Sequence, residues 1–188
     1  MIEATVKLAS LSPYSQSAPI QSVRNPSEPP DDFEERTWRE RIHADENGEV
    51  FIPAQSFKIA LAEAAAFMGR RVPGKGQATF KKHFEAGVMV LDNIPLGIKA
   101  DAVQGERLFL NADGKRGGSK RVYRTMPVVP KWEAEVTFYI FDNTINRDAF
   151  EEHLKAAGTF IGIGRWRPRN GGTKGRFRVV SVDWKEKN

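Results

Sequence analysis

The chain has 188 residues, 40% hydrophobic and 28% charged, which fits one globular domain burying roughly 70% of its unfolded surface without covalent staples. With no cysteine, a disulfide scaffold, a thiolate zinc site and a cysteine nucleophile are excluded. The net charge of +5 points toward a polyanionic partner.

Residues 2–9 alternate apolar Ile2, Ala4, Val6 and Leu8 with Glu3, Thr5 and Lys7, the period of a half-buried strand. Residues 10–31 are rich in Ser and Pro, which predicts an extended loop or arm. The acidic residues Asp31, Asp32, Glu34 and Glu35 follow; they read as a solvated stretch, a contact for a neighbour's basic face, or an oxygen site for a divalent cation. Glu46-Asn47-Gly48-Glu49 marks a turn. From Pro53, residues Phe57, Ala60, Leu61, Ala64, Ala65 and Met68 recur at helical spacing, with Gly69 as the stop.

A basic loop (70–84) and a short strand in GVMVLD come next. Residues 93–112 are ambiguous, although ERLFLN reads as a strand; NADGKRGGSKRV (111–122) reads as a flexible loop with a positive tip. WEAEVTFYIF (132–141) alternates as a strand. INRDAFEEHLKAAG is a helix capped by Asn146 and stopped by Gly158, and FRVVSVDW (177–184) is the last strand. Without its insertions the order is βαββαβ, predicting a single α+β domain over 1–188 with a ferredoxin-like, RRM-like core. Residues 10–50 then form an arm or insertion, and 93–131 a basic loop insertion. No apolar run approaches the roughly 18 residues of a membrane span. The opening MIEATVKLAS has no signal-peptide core, so the expected compartment is the cytosol, away from membranes.

Charge is segregated. Residues 70–82, 114–132 and 153–182 hold 18 of the 29 basic residues and none of the 24 acidic ones. A chain charged only for solubility mixes its signs, so the segregation predicts phosphate contacts. The first window supplies Arg70, Arg71, Lys75, Lys81 and Lys82. The second supplies Lys115, Arg116, Lys120 and Arg121 beside Gly114, Gly117 and Gly118, a pattern suited to a backbone clamp or equally to a hairpin tip. The third includes Arg165, Arg167, Arg169, Lys174 and Arg176, interleaved with Trp166 and Phe177 as stacking surfaces. In this third window the alternative is a mobile linker with Trp166 folded into the core. Six cations so close together are costly unless an anion or solvent faces them. Trp38, Trp132 and Trp184 read as core residues.

Nucleotide cofactors find no support. Gly162-x-Gly164 leads to Arg167 where the dinucleotide fingerprint needs glycine, and Gly74-Lys75-Gly76 lacks the hydroxyl residue of a P-loop. His43, His83 and His153 have no metal-ligand spacing. His83 reads as a general acid/base for RNA or as one more polar residue of a basic surface, and Asp113 as an isolated carboxylate. No cofactor, no metal and no enzymatic activity are expected.

VFIPAQSFKIALAEAA (50–65), with its Ile52-Pro53 helix start, together with GIGRWRPRNGGTKGRF (162–177) resembles the RAMP superfamily of CRISPR systems. The likeness is to Cas7-like backbone subunits and Cas7-like phage proteins, and it covers roughly 50–70 and 130–184. It implies a glycine-rich loop before the last strand of an RRM-like fold. It also implies a subunit that binds single-stranded RNA or DNA along its backbone, largely without sequence preference, and stacks head-to-tail with itself, alone or beside other subunits of a ribonucleoprotein. By position, Lys58, Arg165, Arg167, Arg169, Lys174 and Arg176 would touch phosphates, and loop 114–121 would be a finger or thumb. The chain is short for a backbone subunit. A RAMP-type endonuclease and a structural protein of a virion or complex remain as rival readings.

Overall fold

The computed structural model describes residues 1–111 and 120–187. The alternating apolar residues of β1 (Ile2–Ser10) and β8 (Glu133–Ile140) point to one face, where Ala4, Val6, Leu8, Val136, Phe138 and Ile140 are buried. With β4 (Val88–Met89) and β9 (Phe177–Glu186) they form a sheet of order β4-β8-β1-β9, antiparallel throughout. Two helices pack against this sheet, α2 (Ala54–Met68) and α4 (Arg147–Ala156). In chain order β1, α2, β4, β8, α4 and β9 make the expected βαββαβ unit. Phe138 meets Phe150 edge-on at 5.2 Å, and Phe57 meets Phe177 at 5.8 Å. Trp132 is buried with them.

The helix boundaries follow their local chemistry. α2 ends where Gly69 turns left-handed and returns its N–H to Ala65. The Asn146 side chain accepts from the Ala149 N–H at 2.9 Å and starts α4. Gly158, expected to stop that helix, does not. The chain continues as a π-turn over Ala157–Ile161 and stops at Gly162. Gly158 serves packing instead, because a Cβ there would lie 2.1 Å from the Phe177 carbonyl.

The insertions are more ordered than expected. The Pro/Ser-rich segment begins by entering the core. Tyr14, Ser15 and Gln16 are buried, and β2 (Tyr14–Ser15) pairs with β7 (Arg121–Val129). The acidic stretch is a helix, α1 (Pro30–Thr37), in which Glu34 is buried rather than solvated. A second short helix, α3 (Lys81–Gly87), lies within the expected basic loop, anchored by buried Phe84. The ambiguous region contains β5 (Ile94–Lys99), paired with β3 (Glu49–Ile52), and β6 (Gln104–Asn111), which pairs with β7 along its length. Residues 121–129, expected within a loop, are thus a long strand. No helix among the described residues is long and apolar enough to cross a membrane.

His153 belongs to the core, its Nδ1 bonded to the Ala149 carbonyl at 2.6 Å and its ring 4.6 Å from that of Phe84. Burial holds it below the usual imidazole value, opposed by the Ala149 bond and aided by the charge of Arg70. The unfolded chain therefore takes up the proton first, at about pH 6.5. Stability should fall as pH drops through that value toward the lower folded pKa, and urea midpoints at pH 7.5 and 5.5 should differ less in His153→Leu. Asn146→Ala should cost about 1 kcal/mol. Gly158→Ala, meeting backbone, should cost about 3 kcal/mol by the same denaturation.

Candidate nucleic-acid interface

The glycine-rich segment between α4 and β9 is docked, not mobile. Its backbone bonds to the N-terminal segment through Arg165 N to Ser15 O at 2.8 Å and Gly175 N to Pro13 O at 2.7 Å. The approach requires glycine. At Gly164, with φ +75°, a Cβ would sit 2.2 Å from the Ser15 carbonyl, and at Gly175, φ +79°, 1.9 Å from that of Ile163. Trp166 is half-buried with φ 54°.

This docking decides what the cations face. Arg167 donates to Glu63 of α2 at 2.8 Å, and Arg169 lies 3.9 Å from the same carboxylate. Lys174 is 5% exposed, ion-paired with Glu106 of β6, and 5.9 Å from the Trp166 ring centre. Arg176 donates to the Thr159 carbonyl at 3.1 Å. The anions demanded by this crowd of cations are therefore supplied largely by the chain itself, and Arg167 and Lys174, expected to touch phosphates, each have a carboxylate partner here.

Arg165 is different. Its guanidinium feels the charges of Arg41, Glu34 of α1 and Arg124 of β7, and its Nη1 is buried with no hydrogen-bond partner. Arg124 and Arg41 approach one Glu34 oxygen at 3.0 and 3.4 Å.

The first basic window lies elsewhere. Arg70 pairs with Glu152 of α4, and Lys75 donates to Thr144 at 2.9 Å. Both line an open cleft of about 490 Å³ with Phe80, Asn146 and Asp148. Lys81 is 3.9 Å from Glu85, while Arg71 and Lys82 are exposed. Lys58, on α2, borders a groove with Ile59, Glu63 and Glu85. Lys120 and Arg121 are exposed at the start of β7. Lys115, Arg116 and Asp113 lie outside the described residues. The cations of the first window are therefore held on other elements than Arg124 and Arg165, in which the second and third windows come together.

The β6–β7 hairpin carries a feature the sequence reading missed. Phe109 and Tyr123 are cross-strand partners with ring centres 4.9 Å apart, yet they are 51% and 44% exposed. Arg107 lies over Tyr123 at 4.2 Å and Arg121 over Phe109 at 6.0 Å. The four alternate Arg–Tyr–Phe–Arg on one face. The signal was present in ERLFLN: Phe109 is in phase with Arg107, opposite in phase to Leu108 and Leu110. By contrast, the open face of the central sheet mixes its charges, pairing Lys7 with Glu135 and Lys187 with Glu3 at 3.9 and 3.3 Å.

His83 Nδ1 is 2.6 Å from Asp142 Oδ2, and the Thr144 N–H bonds the other Asp142 oxygen at 2.8 Å. Burial opposes ionisation of Asp142, but these hydrogen bonds outweigh it and hold the carboxyl below its usual range. His43 stacks on Phe51 at 5.9 Å and is held down by burial. Among the described residues no three His, Asp or Glu side chains gather to hold a metal ion.

No protein-family model matches the sequence, and no curated protein matches it. The fold does have solved counterparts. A chain in the cryo-EM structure of the Type III-B Cmr-beta bound to cognate target RNA superposes with a TM-score of 0.52 at 10% identity, covering 97% of this chain. This chain spans 60% of that one's length. The crystal structure of Cmr6 from Pyrococcus furiosus gives a TM-score of 0.49 at 14% identity, covering 96% of this chain and 99% of that one. At such identities the likeness is one of fold, and the α+β architecture expected from the sequence is the one present.

Proposed function

We propose that the chain is a non-catalytic subunit that binds single-stranded RNA, largely without sequence preference, and assembles head-to-tail with copies of itself or with other subunits. The observation that carries this reading is the exposed Arg107–Tyr123–Phe109–Arg121 ladder. Two large rings held half-exposed in cross-strand contact add little to a core. Their π-faces accept any base, and the flanking guanidiniums add cation–π and phosphate contacts. The similar chain comes from a structure of Cmr-beta bound to cognate target RNA, which supports RNA over DNA as the ligand.

A second reading, an endonuclease, has one observation in its favour. The Asp142 contact leaves His83 Nε2 as the ring nitrogen available for proton transfer. Cleavage of a labelled hairpin RNA that disappears in His83→Ala would establish it.

The binding reading is checked by fluorescence anisotropy on unrelated oligoribonucleotides. Phe109→Ala and Tyr123→Ala should each weaken binding about tenfold, alike for every sequence. Arg121→Ala should also flatten the salt dependence. Unchanged affinity in both ring variants would contradict the reading.

A further inference from the structure

We propose that Arg41, Arg124 and Arg165 form a binding site for a phosphate monoester, with Glu34 occupying the site in the free chain. The three guanidiniums come from distant parts of the sequence: the 3-10 turn after α1, strand β7 and the docked glycine-rich loop. Glu34 lies among them with its side chain 4% exposed. Its Oε2 accepts from Arg124 and Arg41. Its Oε1 has no protein partner, nor do Arg41 Nε and Arg165 Nη1, and all three atoms are buried.

A purely structural ion network ends with donors and acceptors matched, because a buried polar atom left unpaired is costly. Here two guanidinium nitrogens are spare. Charge is unmatched as well: Arg41 and Arg124 share one carboxylate, and Arg165 feels the charges of all three without an ion pair of its own to Glu34. Neighbouring acids do not close the gap. Glu106 is taken by Lys174, Glu63 by Arg167, and Glu35 accepts from Thr125 on the opposite face of β7. Burial holds the Arg165 guanidinium below its ordinary value, Arg41 repels it, Glu34 partly offsets this, and Arg124 adds to the repulsion.

A phosphate monoester carries nearly two negative charges at neutral pH and three strong acceptor oxygens. It therefore matches both the surplus charge and the spare donors, whereas a diester leaves a positive charge uncompensated. Exposure rises from Glu34 at 4% through Arg41 at 18% to Arg124 at 35%, so the site opens toward Arg124. Donors that are largely buried and reach solvent at Arg124 suit the end of a strand better than a strand passing along the surface. The ligand is thus the terminal phosphate of an RNA; this source rests on the RNA-binding reading, while the site itself does not.

Inorganic phosphate tests the site. At pH 7.5 and equal ionic strength, replacing chloride by phosphate should raise the Tm of the full chain by about 2–4 °C. Arg165→Gln should abolish the rise. Arg124→Gln, at a side chain 35% exposed, should do the same if Arg165→Gln does not fold. Glu34→Gln should start lower in chloride and rise further, because the competing carboxylate is gone. A wild-type Tm that phosphate leaves unmoved, or a rise that survives Arg124→Gln, overturns the site. One RNA sequence with a 5′-phosphate, a 3′-phosphate or only hydroxyl ends tests the source. One phosphorylated end should bind about tenfold tighter. Equal affinity for all three overturns the strand-end assignment, even where Phe109→Ala still weakens binding. No RNA binding with the phosphate-dependent Tm retained overturns the RNA reading and supports the site.

Discussion

The hydrogen bonds from Arg165 N to Ser15 O and Gly175 N to Pro13 O clamp the glycine-rich loop onto the start of the Pro/Ser-rich segment. The candidate surface depends on this clamp. It sets Arg165 beside α1 and β7, Arg167 against α2, and Lys174 against β6. The approach to Ser15 is why glycine stands at 164, and glycine at 175 lets the loop close on its own Ile163 carbonyl. The loop is a scaffold for charge placement, and its own cations are mostly spent in holding it.

That outcome separates basic composition from anion-binding capacity. Arg167 and Lys174 have carboxylate partners within the chain, and Arg176 is turned to a carbonyl. Such pairs locate loops without offering much to a ligand. The cluster around Glu34 stays short of negative charge, assembled by tertiary structure from Arg124 and Arg165 of two acid-free windows and from Arg41 and Glu34 of a segment that carries both signs. The hairpin ladder complements it, with rings on one face of β7 and Arg124 on the other.

The core was legible because its elements carry strong periodicity. The alternation in 2–9 and 132–141, the alanine-rich helical run after Pro53 and the Asn146 cap each point to the element that forms. The insertions were not. Residues 121–129 (RVYRTMPVV) keep no strict apolar–polar alternation and include Pro127, and their partner strand lies beyond a glycine-rich connection, so the local pattern does not announce a strand. Glu34 looked solvated because its sequence neighbours Asp31, Asp32 and Glu35 are exposed. The arginines that bury it come from positions 41 and 124. Gly158 looked like a helix stop because a glycine's packing partner, here the Phe177 carbonyl, is invisible in sequence.

Ultraviolet cross-linking of a uridine-rich oligoribonucleotide to the full chain, with adducts located by mass spectrometry, tests the placement of the binding surface most directly. The account predicts adducts at Phe109 and Tyr123 on the hairpin. Adducts concentrated on the open face of the central sheet, around Tyr139, would contradict it.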